Sequence, residues 1–147
     1  MKSRHRAREI ALQILYQYDL TAHSSGLPTP DGQALIQSLR YHYDHFAVPD
    51  PLREFVGQLV AGTLSKMVEL DPLLEKHAAN WKVARMSSVD RSLLRMAVYE
   101  MNYLNEVPHS IVIDEAIELA KQFGTSDTPS FINGVLDSIR SASQKQA

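Results

Sequence analysis

The sequence predicts an all-α protein of about seven helices, and three observations carry that prediction. Apolar residues recur at intervals of three and four through most of the chain, no stretch alternates apolar and polar in the manner of a half-buried strand, and Asp-Pro, Thr-Pro and Gly punctuation falls between the periodic runs. Connections between the runs are short, which implies antiparallel neighbours in a bundle. No internal repeat is visible.

The first helix is expected from Met1 to Leu20, with Ser3 as its N-cap. Ala7, Ala11, Ile14, Leu15 and Tyr18 form its apolar stripe, with Ile10 flanking. Thr21 to Pro30 is the clearest loop, holding Gly26 and two prolines. A second helix is expected from near Asp31 to Phe46 through Leu35, Ile36, Leu39 and Tyr43. Asp50-Pro51 starts a third, running to about Leu70, with Gly57 and Gly62 as points of close approach or tolerated residues. Asp71-Pro72 repeats that start signal and opens a fourth to about Trp81, whose apolar face is Leu73, Leu74 and Trp81. After a link from Lys82 to Met86, Ser87 or Ser88 caps a fifth helix to about Leu104, apolar around most of its circumference and so central in the core. The sixth follows Pro108, from Ile111 to Phe123, and stops at Gly124. Thr128-Pro129 starts the seventh, with Ile132, Val135, Leu136 and Ile139 facing in, and residues 141–147 read as a frayed tail.

At 147 residues the chain is most simply one domain, residues 1–147, long enough to bury a core without staples. It has no cysteine, which excludes disulfides and thiolate metal sites and is compatible with a reducing cytosol. No apolar run reaches the roughly 18–20 residues of a membrane span, and no signal-peptide core follows the N-terminus.

The net charge of −2 conceals a polarity. Lys2, Arg4, Arg6 and Arg8 give residues 1–8 a charge of +4 with His5 among them, while the rest of the chain sums to −6. Cations at a helix N-terminus oppose the macrodipole at about 0.3–1 kcal/mol each. The apolar side chains behind them contribute about 1.5–3 kcal/mol each on burial, so the helix forms regardless. The basic cluster is therefore not needed for folding, and its use is an anion on another molecule; a polyanion would be drawn to this end and repelled elsewhere.

Four blocks then resemble the NusB family of bacterial transcription antitermination factors, in the family's order. They are Arg6-Ala7-Arg8-Glu9 with Ala11-Leu12-Gln13 and Leu15-Tyr16-Gln17; Asp90 to Glu100 (DRSLLRMAVYE); Ile113 to Lys121 (IDEAIELAK); and Phe131 to Asp137 (FINGVLD). Only residues 21–50 carry no recognisable motif.

The resemblance implies two small antiparallel helical bundles packed as one domain, and a cytoplasmic factor that binds single-stranded boxA RNA. It implies pairing with NusE, a ribosomal protein that doubles as a transcription factor, and loading of the antitermination complex onto RNA polymerase during ribosomal RNA transcription. Matched position by position, Lys2, Arg4, His5, Arg6, Arg8, Asp127 and Phe131 are expected on the RNA side, and Tyr16, Tyr18, Leu20 and Asp90 on the partner side. Departures are His5 in place of a common arginine, which carries less charge at neutral pH, Asp114 in place of the usual asparagine, and an idiosyncratic loop around Gly26.

Each site has a plainer reading. The basic arm can be a solvated helix end, Phe131 a core residue left at an edge beside Val135, Asp127 a helix-start acid, and Asp90 part of a capping box with Ser87. Tyr16 and Tyr18 lie on different faces, so at least one reaches the surface. His42 and His45 sit one turn apart but lack a third ligand, so no metal is expected. Asp114, Glu115 and Glu118 lack a nucleophile or a phosphate-cradling loop, so neither cofactor nor catalysis is expected. The alternatives are a helical homodimerisation module with an occluded RNA surface, and a stand-alone relative of the N-terminal domain of RNA methyltransferases. The chain shows no second domain or glycine-rich cofactor loop to support the latter.

Overall fold

A computed structural model describes residues 2–25, 32–45, 47–79 and 81–146. They form seven α-helices, a 3-10 turn at Val83–Arg85 and a π-helical turn at Glu100–Leu104, and no strand among them. The chain divides into two compact units, Met1–Ser65 and Lys66–Ala147. The expected loop at Gly26 and the end of the second helix at Phe46 lie outside the described residues.

The first unit holds α1 (Lys2–Ser25), α2 (Gly32–His45) and α3 (Asp50–Ser65). Its main packing is α1 on α3. Ala7, Ile10, Ala11, Ile14 and Leu15 are buried on α1, and Phe55, Val56, Leu59 and Val60 on α3. α1 starts before Ser3, so Ser3 lies within the helix and does not cap it, and the helix runs a turn beyond Leu20. Gly57 does admit a close neighbour: a Cβ there would stand 2.9 Å from the Tyr43 hydroxyl, which donates to the Arg53 carbonyl. α2 ends in a Schellman motif, with Val48 N–H on the Tyr43 carbonyl at 2.9 Å and Ala47 N–H on that of Asp44 at 3.3 Å. The left-handed position is filled by Ala47 (φ 52°) where glycine would be unstrained.

The second unit holds α4 (Met67–His77), α5 (Ser88–Tyr99), α6 (His109–Phe123) and α7 (Thr128–Gln146). α5 packs against all three of the others, as its nearly continuous apolar circumference requires. Leu93, Leu94, Met96, Val98 and Met101 are buried, as are Leu70, Leu74, Leu119, Ile132, Leu136 and Ile139 around them.

Asp71-Pro72 does not open a helix. Pro72 lies inside α4, and the expected third helix instead stops at Ser65. The Asp71 carboxylate that reads as a cap is turned onto Arg95, whose Nε and Nη2 both donate to it at 2.8 Å. Arg95 is buried, and such a bidentate ion pair satisfies a guanidinium that α5 carries into the interior. α4 ends at His77, leaving Trp81 outside the helix and 51% exposed, so it supplies no helical apolar face. Ser87 is the α5 cap, its Oγ accepting the Asp90 N–H at 3.1 Å. The π turn ends α5 at Asn105, in the left-handed region (φ 51°). Gly124 ends α6 in an extended conformation, and not the left-handed one expected of a C′ glycine. Its lack of a side chain serves the turn into α7, since a Cβ would meet Thr128 atoms at 2.5 Å. The tail from Ser141 continues α7 as far as Gln146.

Candidate nucleic-acid interface

In the first unit, the helical phase of α1 sorts its cations into two sets. Arg4 and Arg8 are one turn apart and project over the same ring, with guanidinium carbons 4.3 Å and 5.4 Å from the centre of Phe55. Cation–π attraction fixes both against α3. Arg8 is only 3% exposed, so the expectation that it stands in solvent as part of the arm is corrected: it is an interior guanidinium. Arg4 is half-buried on the same ring.

The second set, His5 and Arg6, converges on Glu9. His5 Nε2 lies 3.4 Å from Glu9 Oε1, and Arg6 Nη1 lies 3.7 Å from Oε2. Arg6 remains the most exposed of the described cations here, at 49%, against 15% for the Glu9 side chain. The basic end therefore carries its own counter-ion, one residue past the stretch that reads as purely cationic. Lys2 opens the helix, and its side chain lies outside the described residues.

Further along α1 the three expected partner residues separate. Leu20 is 42% exposed and Tyr16 half-buried. Tyr18 is 8% exposed: its ring meets His42 edge-on at 5.8 Å and its hydroxyl bonds Ser38 Oγ on α2. Burial raises the Tyr18 pKa, the Ser38 hydrogen bond opposing it. Tyr18 thus holds α1 to α2 and is no surface residue. Burial, and then the charge of His45, lowers the His42 pKa. Among the described residues no group of three or more His, Cys, Asp or Glu side chains is placed to hold a metal.

In the second unit a cavity of about 470 Å³ brings together Asp90, Asp127 and Phe131, which sequence matching had divided between RNA and partner. Three pieces of backbone build it: the link after α4, the first turn of α5, and the turn into α7. The link is held from behind by Arg91, whose Nη1 donates to the Val83 and Met86 carbonyls at 2.9 Å, and by Glu75, which accepts the Val83 N–H at 3.0 Å. The turn is held by Thr128 Oγ1, which accepts the Thr125 N–H at 3.0 Å.

Phe131 is half-buried on α7 beside the inward stripe, and Val135, read both as facing in and as lying with Phe131 toward one edge, is buried and so faces in. The Phe131 ring meets exposed Trp81 at 6.2 Å and 65°. Asp127 is exposed. Asp90 is half-buried, yet its Oδ1 is wholly inaccessible and has no hydrogen-bond partner among the described residues. Its own N–H is spent on the Ser87 cap. Arg85 and Thr125 complete a lining that periodicity does not reveal, because most of these side chains sit between helices. Two aromatic rings, two carboxylates and one exposed guanidinium make a cavity suited to a flat, hydrogen-bonding ligand.

The NusB family model matches residues 5–141. The chain belongs to the NusB family. Transcription antitermination protein NusB of Desulfatibacillum aliphaticivorans is 41% identical over 139 residues, covering 95% of this chain and 90% of that protein. The NusB protein of Desulfotalea psychrophila is 39% identical over 145 residues, covering 99% and 100%. Among solved structures, T. maritima NusB matches with a TM-score of 0.80 at 30% identity, over 94% of this chain and 90% of that one. A structure of the antitermination factors NusB and NusE in complex with dsRNA matches with a TM-score of 0.80 at 25% identity, over 97% and 98%. The all-α fold is that of these NusB structures. No helix among the described residues is long and apolar enough to cross a membrane.

Proposed function

We propose that this NusB-family chain is a cytoplasmic transcription antitermination factor that binds boxA-type RNA together with NusE and promotes ribosomal RNA transcription, with no catalytic step of its own. The observation that carries the reading is the full-length likeness to a NusB–NusE complex holding RNA. The residues give it a physical basis. Lys2, Arg4, His5 and Arg6 supply phosphate contacts from the basic end of α1, and Arg8 acts from the interior by fixing that end to Phe55. Phe131 offers a ring to an unstacked base, and Asp127 accepts a hydrogen bond from a base amino group. Tyr16 and Leu20 serve the partner, and Tyr18 sets the α1–α2 geometry from which they project.

The test is RNA binding with and without NusE, using boxA RNA, a scrambled strand and the same boxA sequence as a duplex. Selective capture of single-stranded boxA by the heterodimer supports the reading. Equal capture of the scrambled strand refutes sequence recognition, and preference for the duplex refutes base contacts. With Arg8 interior, three Lys/Arg remain for phosphates. The slope of log K against log salt is then roughly −0.7 × 3, about −2, for single-stranded RNA. A salt-independent affinity removes the arm from the mechanism. Concentration-dependent size-exclusion chromatography that shows a homodimer unable to bind RNA favours the occluded-module alternative.

A further inference from the structure

We infer that Phe55 is a positioning residue for RNA capture: its ring holds Arg4 at the basic end of α1, where that guanidinium meets a phosphate. This rests on the RNA reading above and adds a residue that acts through another. Phe55 is 8% exposed on α3, within the main helix packing of the first unit. Any apolar side chain of that size would serve burial there. What sets Phe55 apart is that two guanidinium carbons lie over its ring, Arg4 at 4.3 Å and Arg8 at 5.4 Å from the centre. Arg8 is interior, while Arg4, one turn nearer the helix end, is only half-buried and so stays within reach of a ligand.

Two forces push Arg4 away from this spot. The positive end of the helix dipole repels a cation, and so does the like charge of Arg8 at i+4. The ring supplies an opposing pull, because the face of an aromatic ring is the negative part of its quadrupole. A neutral ring also leaves the charge of its guest intact: the Arg4–Phe55 pair keeps +1, whereas Arg6 and Glu9 sum to zero. A guanidinium already held loses little freedom when a phosphate arrives, and the ordering avoided appears as affinity. Loss of the ring face should therefore weaken RNA capture about two- to tenfold, the equivalent of ordering one long side chain.

The test places mono-, di- and trifluorophenylalanine at position 55 of the full-length protein. Fluorine drains the negative ring face step by step, while the side chain stays aromatic, apolar and nearly the same size. The readout is the Kd of labelled boxA RNA for the NusE-bound protein by fluorescence anisotropy, with thermal melts to check each fold. Kd should rise with each fluorine, and rise less steeply in an Arg4→Gln background. A Phe55 that only fills space gives a flat series. Phe55→Leu keeps an apolar side chain without a π face and should weaken binding about two- to tenfold. If Phe55→Leu does not fold, the fluorinated series still decides. A flat series, the same steepness with and without Arg4, or unchanged affinity in folded Phe55→Leu overturns the inference. BoxA capture by wild type alongside any of these shows that only the Phe55 assignment has failed. No boxA capture by wild type overturns both.

Discussion

Replacing Glu9 by glutamine should tighten RNA binding, although it removes an ion pair from the folded protein. Glu9 lies 3.7 Å from Arg6 and 3.4 Å from His5, in partly exposed i,i+3 and i,i+4 pairs. Pairs of this kind contribute only about 0.3–0.5 kcal/mol each, so the stability lost is below about 1 kcal/mol. On the binding side, a phosphate that engages Arg6 comes within about 6 Å of the Glu9 carboxylate, where two like charges repel by about 0.7 kcal/mol at the dielectric of water. At roughly 0.15 M salt that separation is inside the screening length of about 8 Å, so part of the repulsion survives. Adding the ion pair that Arg6 no longer surrenders gives about 1 kcal/mol, or roughly fivefold in Kd. Fluorescence anisotropy of labelled boxA RNA with the NusE-bound protein measures it, and urea unfolding checks the fold. The double-mutant cycle with Arg6→Gln is decisive. Arg6→Gln alone should weaken binding, and most of the Glu9→Gln gain should vanish in its presence. An unchanged or weaker affinity in folded Glu9→Gln, or a gain that persists without Arg6, would refute the competition between Glu9 and phosphate.

Three further outcomes test the fold that carries these residues. Gly124→Ala drives a Cβ to 2.5 Å from buried Thr128 and should cost roughly 1–3 kcal/mol in urea unfolding, whereas no change would mean that the α6–α7 turn relaxes freely. Ala47→Gly relieves a left-handed alanine in the α2 cap and should stabilise by about 0.5–1 kcal/mol, a gain that calorimetry would register as a raised Tm. Buried His42 has a lowered pKa when folded, so the unfolded chain takes up the proton first; its stability is complete above the ordinary histidine pKa of about 6.5 and declines as pH falls below it. His77 is lowered in the same direction, by burial and then by Lys76, so His42→Phe should flatten the acid-side loss in denaturant titrations without abolishing it.

The helices were legible because threes-and-fours spacing is a local property, and so were the Asp50-Pro51 start, the Ser87 cap and the Gly124 stop. Asp71-Pro72 carries the same local signal and means something else. What separates the two is Arg95, which lies 24 residues away and claims the Asp71 carboxylate. A cap is decided by where a side chain bonds, and composition cannot show that. The first helix ran past its expected end, and the last through its expected frayed tail, because no breaker stands at Leu20 or Ser141.

The site divides along the same line. Summing charge over residues 1–8 treats a helix as a string, but a helix returns to the same face after three or four residues. Carried one residue further with that period, the sequence already pairs Arg6 and His5 with Glu9 and leaves Arg4 and Arg8 on another face. What no period supplies is Phe55, nearly fifty residues on, which turns that second face inward and makes Arg8 an interior residue. Asp90 was legible as a capping-box acid, and its backbone does donate to Ser87. It comes to share a cavity lining with Asp127 and Phe131 only when the turn into α7, more than thirty residues later, packs beside it. The charged end that draws the polyanion is thus a local feature of the chain. The surface that gathers Phe131 and Asp127 beside Trp81 exists only once distant segments have packed, so no local stretch of sequence displays it.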